Sequence, residues 1–263
     1  MSVLAIDIGN SRVGLNVFTF GKAQDAAVRL THEQLDSELA GILQSLWEKA
    51  KGETQSQEDG ENGVVISSVV PELTKRVEQI ALATLEEQPQ VVGRDIHVPM
   101  KTMLRDETTV GQDRLLGAAC AYVNTQKACV IIHAGSALVV DCVDDEGIFR
   151  GGAIAPGLAM GAKALHEFAA QLPAVSLTPP ADDVPFGRYT QEAINLGLYV
   201  GARGVVRELV ERFATALGGW PHVVATGGDA VNLLQDTGLV DSFIPDLVLQ
   251  GAALAWENQR TTR

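Results

Sequence analysis

The stretch "LAIDIGNSRVGL" (residues 4–15) has a counterpart far downstream in "VIIHAGSALVVD" (residues 130–141). Each is an apolar run, one polar residue, a spacer, a glycine, a small hydrogen-bonding residue and a second apolar run. Short apolar runs bounded by turn formers read as buried strands, so each piece is a strand pair closed by a tight turn. The polar residue is Asp7 in the first copy and His133 in the second. A repeat of this kind restricts the chain to architectures in which one unit occurs twice.

The order of elements around the two copies extends the repeat. Strands at 3–8 and 13–20 turn at "GNSR", and "EQLDSELAGILQSLWEKA" (33–50) sets Leu35, Leu39, Ile42, Leu43 and Leu46 at helical spacing. The stretch "KGETQSQEDGEN" (51–62) has no apolar residue and reads as a poorly ordered, solvated loop before the buried strand "GVVISSVV". "PELTKRVEQIALATLEEQ" (71–88) opens with a proline suited to a first helical turn, and "VVGRDIHV" is short strand material. The second half reads as strands 129–133, 137–143 and 148–154, helices around 157–171 and 191–217, the strand "HVVATGG", and a closing helix at 246–257. The expectation is an α/β protein of two duplicated domains, 1–110 and 111–263, with a cleft between them.

The totals narrow the function. With 263 residues, 46% of them hydrophobic, two domains can each have a core. Thirty-three acidic against 20 basic residues give a net charge of −13, a field that repels nucleic acid. No run is long and apolar enough for a membrane span and no leader pattern opens the chain, so a cytoplasmic protein is expected. Cys120, Cys129 and Cys142 show no metal-site spacing and read as reduced core thiols.

Glycine turns let backbone N–H groups approach phosphate oxygens, because no Cβ stands in the way. "DIGNS" has that form, and Asp7 at the strand mouth is a hard oxygen ligand suited to water-coordinated Mg²⁺. Taken alone, the same pentapeptide is also an ordinary hairpin with a capping Asp. "HAGSA" supplies Gly135 and Ser136, while "ATGGDA" (225–230) supplies Gly227 and Gly228 as a flat floor for a base. In "TTVGQDRLLGAACAYV" (108–123), Gly111 precedes a helix whose first turn holds Asp113 and Arg114. An Asp there is a favourable partner of the helix dipole. In a phosphate cleft it is equally a proton acceptor for a hydroxyl, with Arg114 gripping a carboxylate.

These motifs, in the order "DIGNS", "VGQDR", "GSA", "GGAIAPGL", "GRYTQEAINLGLYVGARGVV" and "ATGGDA", resemble the type III pantothenate kinase family. That family lies within the sugar-kinase, heat-shock-protein and actin superfamily of duplicated ribonuclease-H-like (actin-like ATPase) domains. The resemblance implies ATP-dependent phosphorylation of pantothenate to 4′-phosphopantothenate, the first step towards coenzyme A, by a homodimer using Mg²⁺ and a monovalent cation (K⁺ or NH4⁺). By position it implies Asp7 for the metal, Gly9, Asn10, Ser11, Gly135, Ser136, Gly227 and Gly228 for the nucleotide, Asp113 as base, and Gly111, Arg114 and Thr190 for the substrate. Two departures stand out. His133 replaces the family's usual aspartate, and Leu104 and Glu107 stand where a Tyr-x-x-Pro segment is usual. They leave three alternatives to a normal kinase: impaired turnover, a catalytically inactive pseudokinase or regulatory paralogue, and a different small-molecule kinase or phosphatase.

Overall fold

The structure, a computed structural model, describes residues 1–54, 61–181 and 185–261. In chain order the elements begin with β1 (Ser2–Ile8), β2 (Arg12–Thr19), β3 (Lys22–Ala23), β4 (Val28–Thr31), α1 (Leu35–Thr54), β5 (Asn62–Ser68) and α2 (Pro71–Leu85). They continue with β6 (Gln90–Val91), β7 (Lys101–Thr102), α3 (Gln112–Thr125), β8 (Cys129–Ala134), β9 (Ala137–Val143) and β10 (Ile148–Pro156). Then come α4 (Leu158–Phe168), α5 (Thr190–Leu217), β11 (His222–Thr226), α6 (Ala230–Leu234), β12 (Ser242–Phe243) and α7 (Leu247–Thr261).

Two compact units result. The first comprises Met1–Lys101, Arg105–Val123 and Asp246–Arg263, and the second Thr102–Leu104 and Asn124–Pro245. Each is built on one sheet, and the sheets share a strand order. In the first, β4 and β3 pair with β2, and the path continues β2-β1-β5-β6; in the second it runs β10-β9-β8-β11-β12, with β7 beyond β10. The first three strands of each are antiparallel, and the fourth and fifth join in parallel. The duplication read from two turns is therefore a duplication of whole sheets.

Alternation along β1 decides what lies where, since successive side chains point to opposite faces. Leu4, Ile6 and Ile8 join Leu35, Leu39, Leu43, Val77 and Ala81 of α1 and α2 in one cluster. Val3 and Ala5 face the other way and pack with Leu116 of α3 and with Leu249, Ala252, Ala253 and Trp256 of α7. Trp256 is fully buried, and the ring lies so flat on β5 that a Cβ at Gly63 would come within 2.5 Å of it. Burying a ring of this size contributes on the order of 3 kcal/mol.

This second face draws α3 and α7 to the first sheet. All of α3 up to Val123 and the whole of α7 group with the first unit, where they cover an apolar face of the first sheet. Small residues make the arrangement possible, for a Cβ at Gly251 would lie 2.3 Å from the Leu116 carbonyl oxygen. In the second unit Val130, Ile132 and Ala134 of β8 pack with Tyr199, Val206 and Val210 of α5 and with Leu233 and Leu234 of α6.

Two local expectations also shift. The α1 helix continues through residues 51–54, which had read as loop, and 55–60 lie outside the described residues. The strand β4, unread in the sequence, supplies the third strand of the first sheet. It has only four residues, too few for alternation to stand out.

Candidate active site

In the first unit, Asp7 is the last polar side chain of β1 before the turn, flanked in register by Gly14 of β2 and Ser67 of β5. Being an odd-numbered residue of β1, it shares the face of Val3 and Ala5, over which α3 and α7 begin. Asp113 lies in the first turn of α3, and Asp246 immediately precedes α7. Burial pushes the Asp7 carboxyl up to about 7; the Ser67 hydroxyl pulls the other way, and the charges of Asp113 and Asp246 add to the rise. Asp246 is itself paired with Arg29 of β4.

The turn after Asp7 is narrow and well anchored. The Gly9 N–H donates to the Arg12 carbonyl at 3.0 Å, and the Val69 N–H donates to the Ile8 carbonyl at 3.1 Å. His32 bonds through Nε2 to the Gly9 carbonyl oxygen at 2.9 Å. Asn10 and Ser11 stand exposed at the tip. Gly111 leaves room for the Asp113 carboxylate, which folds back over it so that a Cβ would lie 2.4 Å from Oδ1. That carboxylate accepts the Arg114 N–H at 2.9 Å. Asp7, the Gly9–Ser11 turn, Gly111, Asp113 and Arg114 thus belong to one unit, and Asp7 and Asp113 share an electrostatic environment. An exposed N–H-bearing turn beside a carboxylate that resists ionisation, with a second carboxylate at a helix start, can bind phosphate, hold a hard cation and accept a proton.

The second unit gathers a different set. His133, half-buried, pairs with Val139 of β9 and with the buried Thr226 of β11, the positions that Gly14 and Ser67 take around Asp7. Its ring lies about 3.5 Å from where a Gly135 Cβ would be. The turn is shorter, with only Ser136 between Gly135 and Ala137, which are joined by a 3.1 Å backbone bond. Gly157, before α4, sits under it, and a Cβ there would lie 2.2 Å from the Gly135 carbonyl oxygen. Gly227 has φ +100, and a Cβ there would lie 2.2 Å from the Ala134 carbonyl oxygen, whereas Gly228 is open. A small hollow of about 10 Å³ is lined in part by Gly135, Gly157, Leu158, Ala202, Asp229 and Leu233.

Thr190 is not part of that group. It opens α5, next to a separate hollow lined in part by Tyr189, Gln191, Glu192 and Asn195. Leu104 packs its Cδ2 about 3.3 Å from the Cβ position of Gly151, at the irregularity in β10 where φ is +96. Glu107 begins a single 3-10 turn capped by Asp106, which accepts the Thr108 N–H at 2.9 Å.

Ser67, His32, Asp246 and Gly157 escaped the sequence reading as site residues. The serine pair closing "VVISS" was a usable signal for Ser67, since a polar pair ends an otherwise apolar strand. His32 follows the unread β4, and Asp246 acquires its place only when α7 returns to the first sheet.

The model of the family described as "Type III pantothenate kinase" matches residues 3–212. A type III pantothenate kinase from Dehalococcoides mccartyi is 34% identical over 256 residues, covering 97% of each chain. Among solved structures, a conserved Baf family protein from Campylobacter jejuni, described as a transcriptional activator, aligns with TM-score 0.61 at 18% identity, over 98% of this chain and 99% of that one. The activator of 2-hydroxyisocaproyl-CoA dehydratase from Clostridium difficile, solved with bound ADPNP, aligns with TM-score 0.52 at 13% identity, over 100% and 97%. At those identities the likeness speaks for the fold alone. The sequence agreement goes further than the fold: this chain belongs to the type III pantothenate kinase family.

Proposed function

We propose that the chain transfers the γ-phosphoryl group of ATP to pantothenate, giving 4′-phosphopantothenate on the way to coenzyme A. The family match over residues 3–212 carries the reading, because it spans Asp7, the Gly9–Ser11 turn, Asp113 and Thr190 together. Gly9, Asn10 and Ser11 take the phosphates through backbone N–H groups, and Gly135, Ser136, Gly227 and Gly228 are the further nucleotide residues. Asp113 accepts the proton of the attacking hydroxyl, Gly111 and Arg114 hold the acceptor with its carboxylate on the guanidinium, and Thr190 is a further substrate contact. In in-line phosphoryl transfer, positioning and charge neutralisation carry most of the barrier reduction and the base acts late.

The donor set at Asp7 fits Mg²⁺. It is oxygen only, and among the described residues no group of three His, Cys, Asp or Glu side chains is arranged to hold an ion unaided. One carboxylate plus water and phosphate oxygens is the usual company of Mg²⁺, which when bound neutralises phosphate charge. The second turn does not fit K⁺ or NH4⁺ held by a side-chain carboxylate, since His133 offers ring nitrogens, and no step is assigned to a monovalent cation. Exposed Met160 of α4, Val200 and Val205 of α5 and Tyr189 leave apolar surface on the second unit, which supports a homodimer. No helix among the described residues is long and apolar enough to cross a membrane, and the net charge of −13 disfavours nucleic acid; a cytoplasmic location is consistent with both.

The test is an ATP-dependent phosphorylation assay with pantothenate and Mg²⁺, with and without K⁺. Product formation with little response to K⁺ is expected. Absence of product, with ATP analogue still bound, would favour the pseudokinase instead, a reading that neither the family match nor the relatives prefer. Light scattering that finds only monomer at micromolar concentration would remove the dimer.

A further inference from the structure

We infer that His32 is a positioning residue for the phosphate turn, holding the Gly9–Asn10 peptide in the orientation that receives ATP. The inference rests on the assignment of Gly9, Asn10 and Ser11 to the phosphates made above. Register puts His32 there. Thr31, the last residue of β4, lies opposite Arg12 across the sheet, so the next residue emerges beside the turn that Arg12 closes. The direction of the chain at that point is set by a reciprocal cap, in which the Thr31 N–H donates to Gln34 Oε1 at 2.8 Å and the 3-10 turn His32–Gln34 follows. The His32 ring is thereby aimed at the Gly9 carbonyl, and because that oxygen only accepts, Nε2 carries the proton.

A trans peptide is planar, and its carbonyl and its N–H point in opposite directions. Holding the Gly9 oxygen towards His32 therefore aims the Asn10 N–H away from β4, to the exposed tip of the turn. Glycine tolerates the flipped peptide more readily than other residues do. Without a partner for its carbonyl, Gly9 would sample both orientations, and only one presents the N–H to an incoming anion. The Gly9 N–H is committed to Arg12 at 3.0 Å, so His32 supplies the second of the two anchors on this residue. Donors fixed before the ligand arrives bind it without reorganisation, which is the source of the expected gain.

The experiment compares His32→Phe, which keeps a ring but has no donor, with His32→Gln, which restores an N–H donor. Affinity for the β,γ-imido analogue of ATP is measured by calorimetry with Mg²⁺, alongside both KM values and the melting temperature. His32→Phe is expected to weaken analogue binding and raise the KM for ATP by about tenfold, leaving the KM for pantothenate within about twofold, with His32→Gln recovering most of the loss. Equal changes in both KM values, analogue binding unchanged in His32→Phe, or no recovery in His32→Gln would each overturn the inference. Analogue that fails to bind the unaltered chain would overturn it together with the phosphate assignment. Analogue that binds while pantothenate is not phosphorylated would remove the acceptor reading alone, and the binding comparison would still decide His32.

Discussion

The two glycine turns occupy the same place in two sheets of the same strand order, yet they are held by different physics. In the first, two residues stand at the tip, and a side chain from outside the hairpin, His32, fixes the backbone. In the second, a single residue stands at the tip, and backbone packs directly on backbone at Gly157 and Gly227. The polar positions diverge in the same sense. Asp7 is a carboxylate held where ionisation is disfavoured, while His133 is a half-buried ring against its own turn. The first turn therefore stores an electrostatic cost that a bound cation can relieve, and the second stores steric constraint that no ligand relieves. Duplication preserved the scaffold and let the chemistry of the two mouths separate.

The largest expected effect tests whether the first unit carries the chemistry. Asp113→Asn should lower kcat by about 10³-fold, within the usual span for loss of a general base, with the melting temperature nearly unchanged. An unchanged rate would take the base role from Asp113. Next is the steric character of the second turn. Gly227→Ala combines positive φ with a Cβ 2.2 Å from a carbonyl oxygen, and a loss of about 3 kcal/mol, or roughly 6–12 °C in melting temperature, is expected. Its neighbour is the control, since Gly228→Ala meets nothing within 4 Å and should shift the melting temperature by no more than about 1 °C. Equal behaviour of the two glycines would break the contrast.

The electrostatic character of the first turn has a pH signature. Asp7 titrates near 3.8 unfolded and is raised to about 7 in the folded chain, so between those values the native state binds the extra proton. Stability attributable to this group is greatest below the unfolded value and falls as pH rises towards 7. Asp7→Asn, which removes the ionisation, should therefore raise the melting temperature more at pH 8 than at pH 4.5. The gain is of order 2 kcal/mol after discounting for the solvent that Asp7 still meets. Thermal melts showing no pH-dependent difference between variant and parent would mean that Asp7 holds no such cost. The smallest effect concerns the other polar position. His133→Asp should raise turnover by about tenfold, near 1.4 kcal/mol of barrier, and make the rate respond to K⁺; rate and K⁺ response both unchanged would show that the second mouth does not limit the enzyme.

Much of this was legible before any coordinates. The strands β1, β2, β5, β8, β9, β10 and β11 and the helices α1 to α5 and α7 all leave periodic or punctuated patterns in the sequence, and the residue types at Asp7, Gly9, Asp113 and Gly227 announce their chemistry. The family resemblance rests on motifs that lie in those same elements. What escaped was short or long-range. The four residues of β4 cannot display a period, so the third strand of the first sheet and the histidine that follows it went unread. The grouping of α3 and α7 with the first sheet also went unread, because local patterns show that a helix has an apolar face without showing which sheet that face covers.

The sequence by itself determined the duplicated turns, the elements around them and the carboxylates capable of phosphoryl-transfer chemistry, because periodicity, turn formation and side-chain chemistry are local properties. Only the tertiary structure decided that α3 and α7 close the first unit, that Asp7 shares its environment with Asp113 and Asp246, and that His32 reaches Gly9. Each of these joins residues far apart in the chain through the alternation of a strand or the register of a sheet. Burial, and the shift it produces at Asp7, exists only once those distant segments have packed together.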